Sequence, residues 1–82
     1  MAVPERNVAQ MVPGEVAVVS GFTDEPLSVK LMEMGCLPGN IVELIQIAPF
    51  GDPIYLNING AHVAIRLETA SEIEVDIIQT HG

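Results

Sequence analysis

Alternating apolar and polar residues predict short strands along most of the chain, with Gly and Pro residues between them. The first run, "EVAVVSGF", follows the Pro-Gly turn of "VPGE", and Val16 and Val18 share one of its faces. A second Pro-Gly turn, in "LPGN", precedes the run "NIVELIQIA", and "IEVDII" forms a further strand near the end of the sequence. Together with the two strands of a hairpin, these runs predict five strands.

The strongest local prediction is a β-hairpin in "PIYLNINGAHVAIRL". Asn59-Gly60 is typical of a two-residue type I′ turn, because both central residues of that turn need a positive φ. This loop sets the register and gives four buried residues: Ile54, Leu56, Val63 and Ile65. The same register pairs residues on the outer face: Asn57 with His62, and Tyr55 with Ala64.

The period changes in "TDEPLSVKLMEMG", where an apolar stripe of Leu27, Leu31 and Met34 predicts a short helix between the first and second strands. Gly35 is expected to end this helix in a left-handed conformation. Cys36 would then pack back on Leu31, as in a Schellman motif. Further along, "TASE" has the spacing of a capping box and predicts a single helical or 3₁₀ turn beginning at Thr69.

The strand "NIVELIQIA" is apolar on both faces, since Val42 and Leu44 mark one face while Ile41, Ile45 and Ile47 mark the other. Such a strand is either covered on both sides or partly exposed for a partner. The following "PFGDP" breaks the strand and predicts a loop. Phe50 in this loop either reaches the surface or folds back into the core.

Five strands and one helix in 82 residues leave few architectures. A flat sheet would expose an apolar face that one short helix cannot cover, so we predict a mainly β, SH3-like barrel with the helix against it. Hydrophobic residues make up 49% of the chain, which is enough for a core in one domain. We expect an ordered core at about 11–78, with residues 1–10 and 79–82 as tails.

The charge is strongly acidic: three Lys and Arg stand against eleven Asp and Glu, for a net of −8. Nucleic acid and anionic membranes are therefore poor partners, since both need basic side chains. No stretch has the roughly 20 apolar residues of a membrane helix, and no secretory signal is recognisable, so we expect no membrane insertion. The lone Cys36 forms no internal disulfide, which fits a reducing cytosol.

Catalysis and tight metal binding both lack a motif. The hydroxyls of Ser20, Ser28 and Ser71 have no recognisable spacing to His62, and no phosphate-binding glycine loop is present. Cys36, His62 and His81 also lack the spacing of metal ligands, which leaves Cys36 and His62 as weak candidates only. We expect a protein that is not an enzyme and holds no cofactor.

The order of "PGEVAVVSGF", a helix ending in "LMEMGCLPGN", and "VELIQIAPFGDPIYLNINGAHVAIRLETASEIEV" resembles the FeoA family over about residues 11–78. The most specific part is "MGCLPG" followed by "APFGDPI". The resemblance implies an SH3-like cytoplasmic accessory protein of bacterial ferrous-iron uptake that works with the FeoB membrane transporter through its cytosolic GTPase portion. Related domains also form the C-terminal segment of iron-dependent transcriptional repressors. The alternative is therefore a metal-responsive regulatory domain.

Family members often carry several basic residues in the helix and after the "VELI" strand, where this chain has Lys30, Gln46 and Ile47. Apolar contacts should therefore matter more than charge in docking. The candidate partner-binding residues are those whose side chains are not needed for the core of a barrel: Leu37, Pro38, Ile45, Ile47, Phe50 and Asp52. Two other uses of these side chains stay open, a second small core and the pairing of two copies of the chain.

Overall fold

The computed structural model describes residues 6–23, 25–33 and 35–79. These residues form six strands, two helices and a 3₁₀ turn: β1 Arg6–Asn7, the 3₁₀ turn Val8–Gln10, β2 Val16–Phe22, α1 Glu25–Glu33, β3 Ile41–Ile47, β4 Ile54–Ile58, β5 Ala61–Ile65, α2 Leu67–Ala70 and β6 Ile73–Gln79. The mainly β class is as predicted, and α1 follows the first long strand. The sequence predicted five strands, and the short β1 is the addition.

All the strands belong to one antiparallel sheet in the order β1-β6-β2-β3-β4-β5. The sheet curls around a single apolar core, to which every strand from β2 to β6 contributes. The largest fully buried side chains are aliphatic: Val8, Val19, Leu31, Val42, Leu44, Ile54, Leu56, Ile58, Ile73 and Val75. Apolar burial of this kind is the main stabilising term for so small a fold.

Residues 6–10 are part of the fold, whereas the sequence placed them in a tail. Arg6 and Asn7 pair with Val75 and Glu74 of β6, and the side chain of Val8 is fully buried. The side-chain oxygen of Gln10 accepts a hydrogen bond from the Asn7 N–H at 2.9 Å. A two-residue strand is too short for a periodic pattern, so its position depends on pairing with β6 and on the ion pair of Arg6 with Glu15.

The C-terminus of α1 has the predicted Schellman geometry. Gly35 adopts a φ of 97°, its N–H donates to the carbonyl of Met32, and the N–H of Cys36 donates to the carbonyl of Leu31, both at 3.0 Å. Cys36 and Leu31 are buried in the same core. The hydrophobic contact that accompanies this motif therefore fixes where the chain leaves the helix.

The predicted hairpin register is confirmed at every pair, from Ile58–Ala61 to Ile54–Ile65. Asn59 and Gly60 have φ of 51° and 92°, as the type I′ turn requires, and the Asn57 side chain accepts a hydrogen bond from the Gly60 N–H at 2.8 Å. Ile54, Leu56 and Ile65 are buried as predicted; Val63 is half-buried and packs against the core. Turn chemistry and cross-strand packing agree here.

The prediction for "TASE" was wrong in position. The helical turn α2 is Leu67–Ala70, so Thr69 lies inside it and Arg66 precedes it. The first N–H of α2, that of Leu67, is capped by the carboxylate of Asp52 at 2.9 Å. A cap from 15 residues away leaves no local spacing signal, so the S/T-x-x-E spacing alone predicted the turn too late in the chain.

Candidate partner-binding surface

A β-bulge at Ile45 is the feature that shapes the outer surface. In the pairing of β3 with β4, Leu44 lies opposite Leu56 and Gln46 lies opposite Tyr55, so Ile45 is an extra residue without a partner. The side chain of Ile45 is 45% exposed. One extra residue reverses the inside-outside alternation of the strand beyond it.

Because of the bulge, Ile45 and Ile47 do not share one face in the regular way that the sequence suggested. Ile47 pairs with the buried Ile54, and directly opposite residues lie on the same side of a sheet. Ile47 is nevertheless 38% exposed, because it ends the strand at the margin of the core. Ile47 therefore extends the core to the surface, while Ile45 projects at the bulge.

Residues of β3, β4 and β5 line a shallow hollow of about 400 Å³ beside this bulge. Its lining is almost entirely apolar: Ile45, Tyr55, Leu56, His62, Val63 and Ala64. Tyr55 is 40% exposed and lies opposite the small side chain of Ala64. An aromatic ring with a small cross-strand neighbour suits contact with an apolar side chain.

The loop after β3 presents Phe50 to solvent. The N–H of Gly51 donates to the carbonyl of Ala48 at 2.7 Å, and the Ala48 N–H donates to the carbonyl of Pro53 at 3.1 Å, so the loop is held at its base. Phe50 is 99% exposed. The sequence left open whether Phe50 is exposed or folds back into the core, and the structure shows that it is exposed. We call residues 45–53 the bulged segment.

Asp52 has a structural task, because its carboxylate caps α2 through Leu67. This hydrogen bond ties the bulged segment to the element that follows β5, across the end of the hairpin. Asp52 therefore stabilises the position of the loop that carries Phe50. The side chain of Asp52 nevertheless remains exposed.

Leu37 and Pro38 lie apart from the other candidates. They belong to the turn before β3, closed by the Asn40 N–H donating to the Leu37 carbonyl at 2.9 Å, whereas Phe50 follows the other end of β3. Six steps of about 3.3 Å separate Ile41 from Ile47, so the two groups stand roughly 20 Å apart along the strand. The structure therefore does not join Leu37 and Pro38 to the bulged segment in one contact.

The turn that contains Gly14 and Glu15 is hydrogen-bonded to β3 next to the bulge, and Glu15 stabilises this turn. The Gly14 N–H donates to the Leu44 carbonyl at 2.9 Å, and the Leu44 N–H donates to the Glu15 carbonyl at 3.1 Å. The buried Glu15 carboxylate accepts the Val12 N–H at 2.8 Å and pairs with Arg6 at 3.1 Å. The Val12 hydrogen bond, with help from Arg6, lowers the pKa of Glu15 despite its burial. This network positions Leu44, the last regular residue before Ile45.

The two weak metal candidates do not come together. Cys36 is fully buried behind α1, where burial raises the pKa of its thiol, while His62 is exposed on β5. In residues 6–23, 25–33 and 35–79 there is no group of three or more His, Cys, Asp or Glu side chains placed to hold a metal ion. His81 lies outside the described residues.

The serine candidates gain no catalytic partner from the described fold. The hydroxyl of Ser71, the residue after α2, donates to the Glu68 carbonyl at 2.6 Å. Ser20 lies on β2 and His62 on β5, and β3 and β4 separate these strands in the sheet. The side chain of Ser28 lies outside the part of the chain described.

Sequence reasoning missed Tyr55 and Ala64 as parts of this surface. The available signal was the predicted hairpin register, which already placed the ring opposite a small residue on the outer face. The bulge had no comparable signal, because a run of Leu, Ile, Gln and Ile fits either an unbroken strand or a shifted one.

A family model for the FeoA domain matches residues 6–77, which is nearly the whole chain. The chain belongs to the FeoA family. A curated relative, the Fe(2+) transport protein A/Fe(2+) transporter FeoB fusion protein of Porphyromonas gingivalis, is 36% identical over 53 residues. That match covers 65% of this chain but only 6% of the fusion protein, so the chain corresponds to a small part of its relative.

Solved structures of FeoA proteins have the same fold. The FeoA protein of Chlorobium tepidum is 31% identical with a TM-score of 0.83, and the match covers 90% of this chain and 71% of that one. The FeoA of Stenotrophomonas maltophilia, described as a prokaryotic SH3 domain protein complexed with zinc, has a TM-score of 0.74 at 21% identity, covering 87% and 89% of the two chains. The predicted SH3-like barrel is thus confirmed.

The same fold also occurs within repressors. A manganese-dependent transcriptional repressor has a TM-score of 0.83 at 18% identity, and the match covers 94% of this chain and 43% of the repressor. At this identity the likeness shows the fold alone. Family membership, not fold, therefore separates this FeoA chain from the repressor domains.

Among the described residues of this FeoA chain, no helix has the length and apolar character needed to cross a membrane.

Proposed function

We propose that this protein is a non-enzymatic accessory protein of ferrous-iron uptake that acts in the cytosol by binding a FeoB-type transporter. The observation that carries the proposal is the fused relative, in which a FeoA part and a FeoB part share one polypeptide. Fusion holds the two parts at a high effective concentration, as expected for proteins that bind each other when they are separate chains. The cytosolic GTPase portion of the transporter is the proposed contact.

The bulged segment and the adjoining hollow support this proposal as the contact surface. Ile45, Phe50 and Tyr55 expose apolar area on neighbouring parts of β3, β4 and the loop between them. Aromatic residues that become buried at the centre of an interface can each contribute about 2 kcal/mol or more. Phe50 is the proposed anchor, and Ile45 and Tyr55 form the surface around it.

The alternative, a metal-responsive regulatory domain, has the fold of the repressors in its favour but no ligand set. A direct test is a calorimetric titration with Fe(II) under anaerobic conditions and with Zn(II). We expect no stoichiometric site of micromolar affinity, since three or four ligands must converge for such a site. A tight site that is abolished by Cys36→Ser or His62→Ala would favour the regulatory alternative.

The binding test uses the purified cytosolic domain of a FeoB-type transporter from the same organism. The variant is Ile45→Ser with Phe50→Ser, and we expect it to lower affinity at least about tenfold, a loss of roughly 1.4 kcal/mol or more. The matched control is Ile78→Ser, because Ile78 is 55% exposed and also lies at a register shift, in the pairing of β2 with β6.

The outcomes are distinct. Weakened binding for the double variant, with unchanged binding for Ile78→Ser and unchanged melting temperatures, supports the proposed surface. Wild-type affinity in the double variant would remove the bulged segment from the interface. Absence of binding by the wild-type protein, measured at high micromolar concentrations of both proteins, would contradict the proposed partner itself.

A further inference from the structure

The two edges of the sheet differ in how they are protected. β1 forms one edge and has two residues, whereas β5 forms the other and has five residues in continuous register with β4. Exposed edge strands are normally shortened, interrupted by Pro or a bulge, or guarded by charged side chains, since their free backbone groups attract another strand. β5, with the sequence "AHVAI", contains no Pro, no Lys, no carboxylate and no bulge.

The free backbone groups of this edge can be assigned from the hairpin geometry. The two-residue turn is closed by a hydrogen bond between Ile58 and Ala61, and hydrogen-bonded pairs then alternate with non-bonded pairs along the ladder. Asn57–His62 and Tyr55–Ala64 are the non-bonded pairs. The N–H and C=O groups of His62 and Ala64 therefore point away from β4, and within the described residues no other strand pairs with β5.

We infer that the β5 edge pairs with the β5 edge of a second copy of this chain, antiparallel and about a two-fold axis beside Val63. This register places His62 opposite Ala64 of the second copy, and Ala64 opposite the second copy's His62. Each of these is a pair in which both residues have outward backbone groups, so each exchanges two hydrogen bonds. A strand whose outward residues lie symmetrically about one central residue is complementary to itself.

Charge favours this edge over the rest of the surface for self-pairing. With a net charge of −8, two copies repel each other over most approaches. The sequence from Pro53 to Leu67 contains no Asp or Glu, and Asp52 and Glu68 are the carboxylates on either side of it. The β4–β5 hairpin is therefore the part where two acidic molecules meet with the least opposition. An uncharged edge also gives no specific attraction for a cationic segment.

The apolar hollow lies on the same margin of the sheet. His62, Val63 and Ala64 all line it, so a second β5 strand at the edge would extend its wall and cover apolar area that is otherwise exposed. Five-residue strands bury less than the roughly 1,200 to 2,000 Å² of a stable interface. The dimer is accordingly weak and depends on protein concentration.

Sedimentation equilibrium on the full chain, from about 10 μM to about 1 mM, tests the pairing. The average mass should rise from 8.8 kDa toward twice that value. Added NaCl should strengthen the association, because it screens the repulsion between two acidic molecules. Amide hydrogen exchange at His62 and Ala64 should slow as concentration rises. The Val63 amide, already bonded to β4, should change little, and it serves as the internal control.

Ala64→Pro removes one outward N–H from each copy and should weaken the dimer at least about tenfold. Ala64→Ser keeps the N–H and should leave association within about twofold. His62→Glu retains the backbone and places one carboxylate of each copy beside the axis with only Ala64 opposite, so it should also weaken pairing if the proline variant fails to fold.

Three results would overturn the inference. The first is a monomer at all concentrations, and the second is a dimer that Ala64→Pro and His62→Glu leave unchanged. The third is protection of the His62 and Ala64 amides only when the transporter domain is added, which would assign the edge to that partner. Both proposals use the hollow, so a second copy and the transporter would compete for it. Transporter binding does not require the dimer, so a failure of self-pairing leaves the proposed function untouched.

Discussion

The β4–β5 hairpin and the bulged segment have similar apolar content, but the hairpin buries apolar side chains in the core while the bulged segment exposes them. In the hairpin, five pairs run without a shift, and Ile54, Leu56 and Ile65 enter the core. In the bulged segment, one extra residue at Ile45 interrupts the pairing, and apolar side chains reach solvent from there to Phe50. Register, more than hydrophobicity, decides which apolar residues stabilise the fold and which remain for contact with another molecule.

The largest test of this contrast removes a buried side chain from the hairpin. Leu56→Ala should lower the free energy of unfolding by about 2 to 5 kcal/mol, because it leaves a cavity in the core of a small domain. Urea denaturation measures the change. A loss below about 1 kcal/mol would mean that the hairpin does not carry the core as its register implies.

Acid should loosen the bulged side of the barrel before the hairpin. The pKa of Glu15 is lowered in the folded state, so its contribution to stability is complete above the ordinary glutamate value of 4.5 and is lost as pH falls through the lowered value. Glu15→Gln should cost about 1 to 2 kcal/mol near neutral pH and flatten this acid dependence.

Hydrogen exchange followed by NMR from pH 7 downward separates the two regions. Amides near Glu15 and Leu44 should lose protection first, while the hairpin, which has no carboxylate between Asp52 and Glu68, should keep it. Glu43→Gln is the matched control, since Glu43 is a neighbouring partly exposed residue on β3. Equal acid sensitivity of Glu15→Gln and the wild type would exclude Glu15 as the cause.

A smaller change tests whether the turn itself sets the hairpin register. Gly60 has a φ of 92° with open space around its Cβ position, so Gly60→Ala introduces backbone strain without a clash. The expected cost is about 1 kcal/mol. Gly60→Asn is the control, because Asn tolerates positive φ better than Ala. Equal stability of the Ala variant and the wild type, measured by urea denaturation, would argue against a strained turn.

The smallest expected effect is at the bulge. Ile45→Ser should change the free energy of unfolding by no more than about 0.5 kcal/mol, since the side chain is 45% exposed and is not part of the core cluster. Comparison with Leu56→Ala in the same urea series sharpens the contrast between the two regions. A loss near that of Leu56→Ala would make Ile45 a core residue and would weaken its proposed role in partner binding.

The sequence predicted what local chemistry determines. The left-handed Gly35, the return of Cys36 to Leu31 and the Asn59-Gly60 register each depend on residues a few positions apart, and all three are confirmed. The residues at 6–10, the helical turn at 67–70 and the bulge depend instead on distant contacts: Arg6 with Val75, Leu67 with Asp52, and β3 with β4. Pattern reading has no access to such contacts.

The candidate surface divides in the same way. Phe50 was correctly considered for the surface because its loop is marked by Pro and Gly residues. The separation of Leu37 and Pro38 from Phe50 needed the direction of β3, and the cap formed by Asp52 needed the position of α2. Their roles in partner binding stay predictions, which the transporter-binding assay addresses.

The buried thiol of Cys36 can report how often the end of α1 opens. Its thiol is the only one in the sequence, lies fully buried at the end of α1, and is held protonated by its raised pKa. A thiol-specific reagent can therefore react only when the end of α1 separates from the core, and the labelling rate reports how often that opening occurs. Mass spectrometry of labelled protein would follow this opening without any added probe, in the free chain and in each of its complexes.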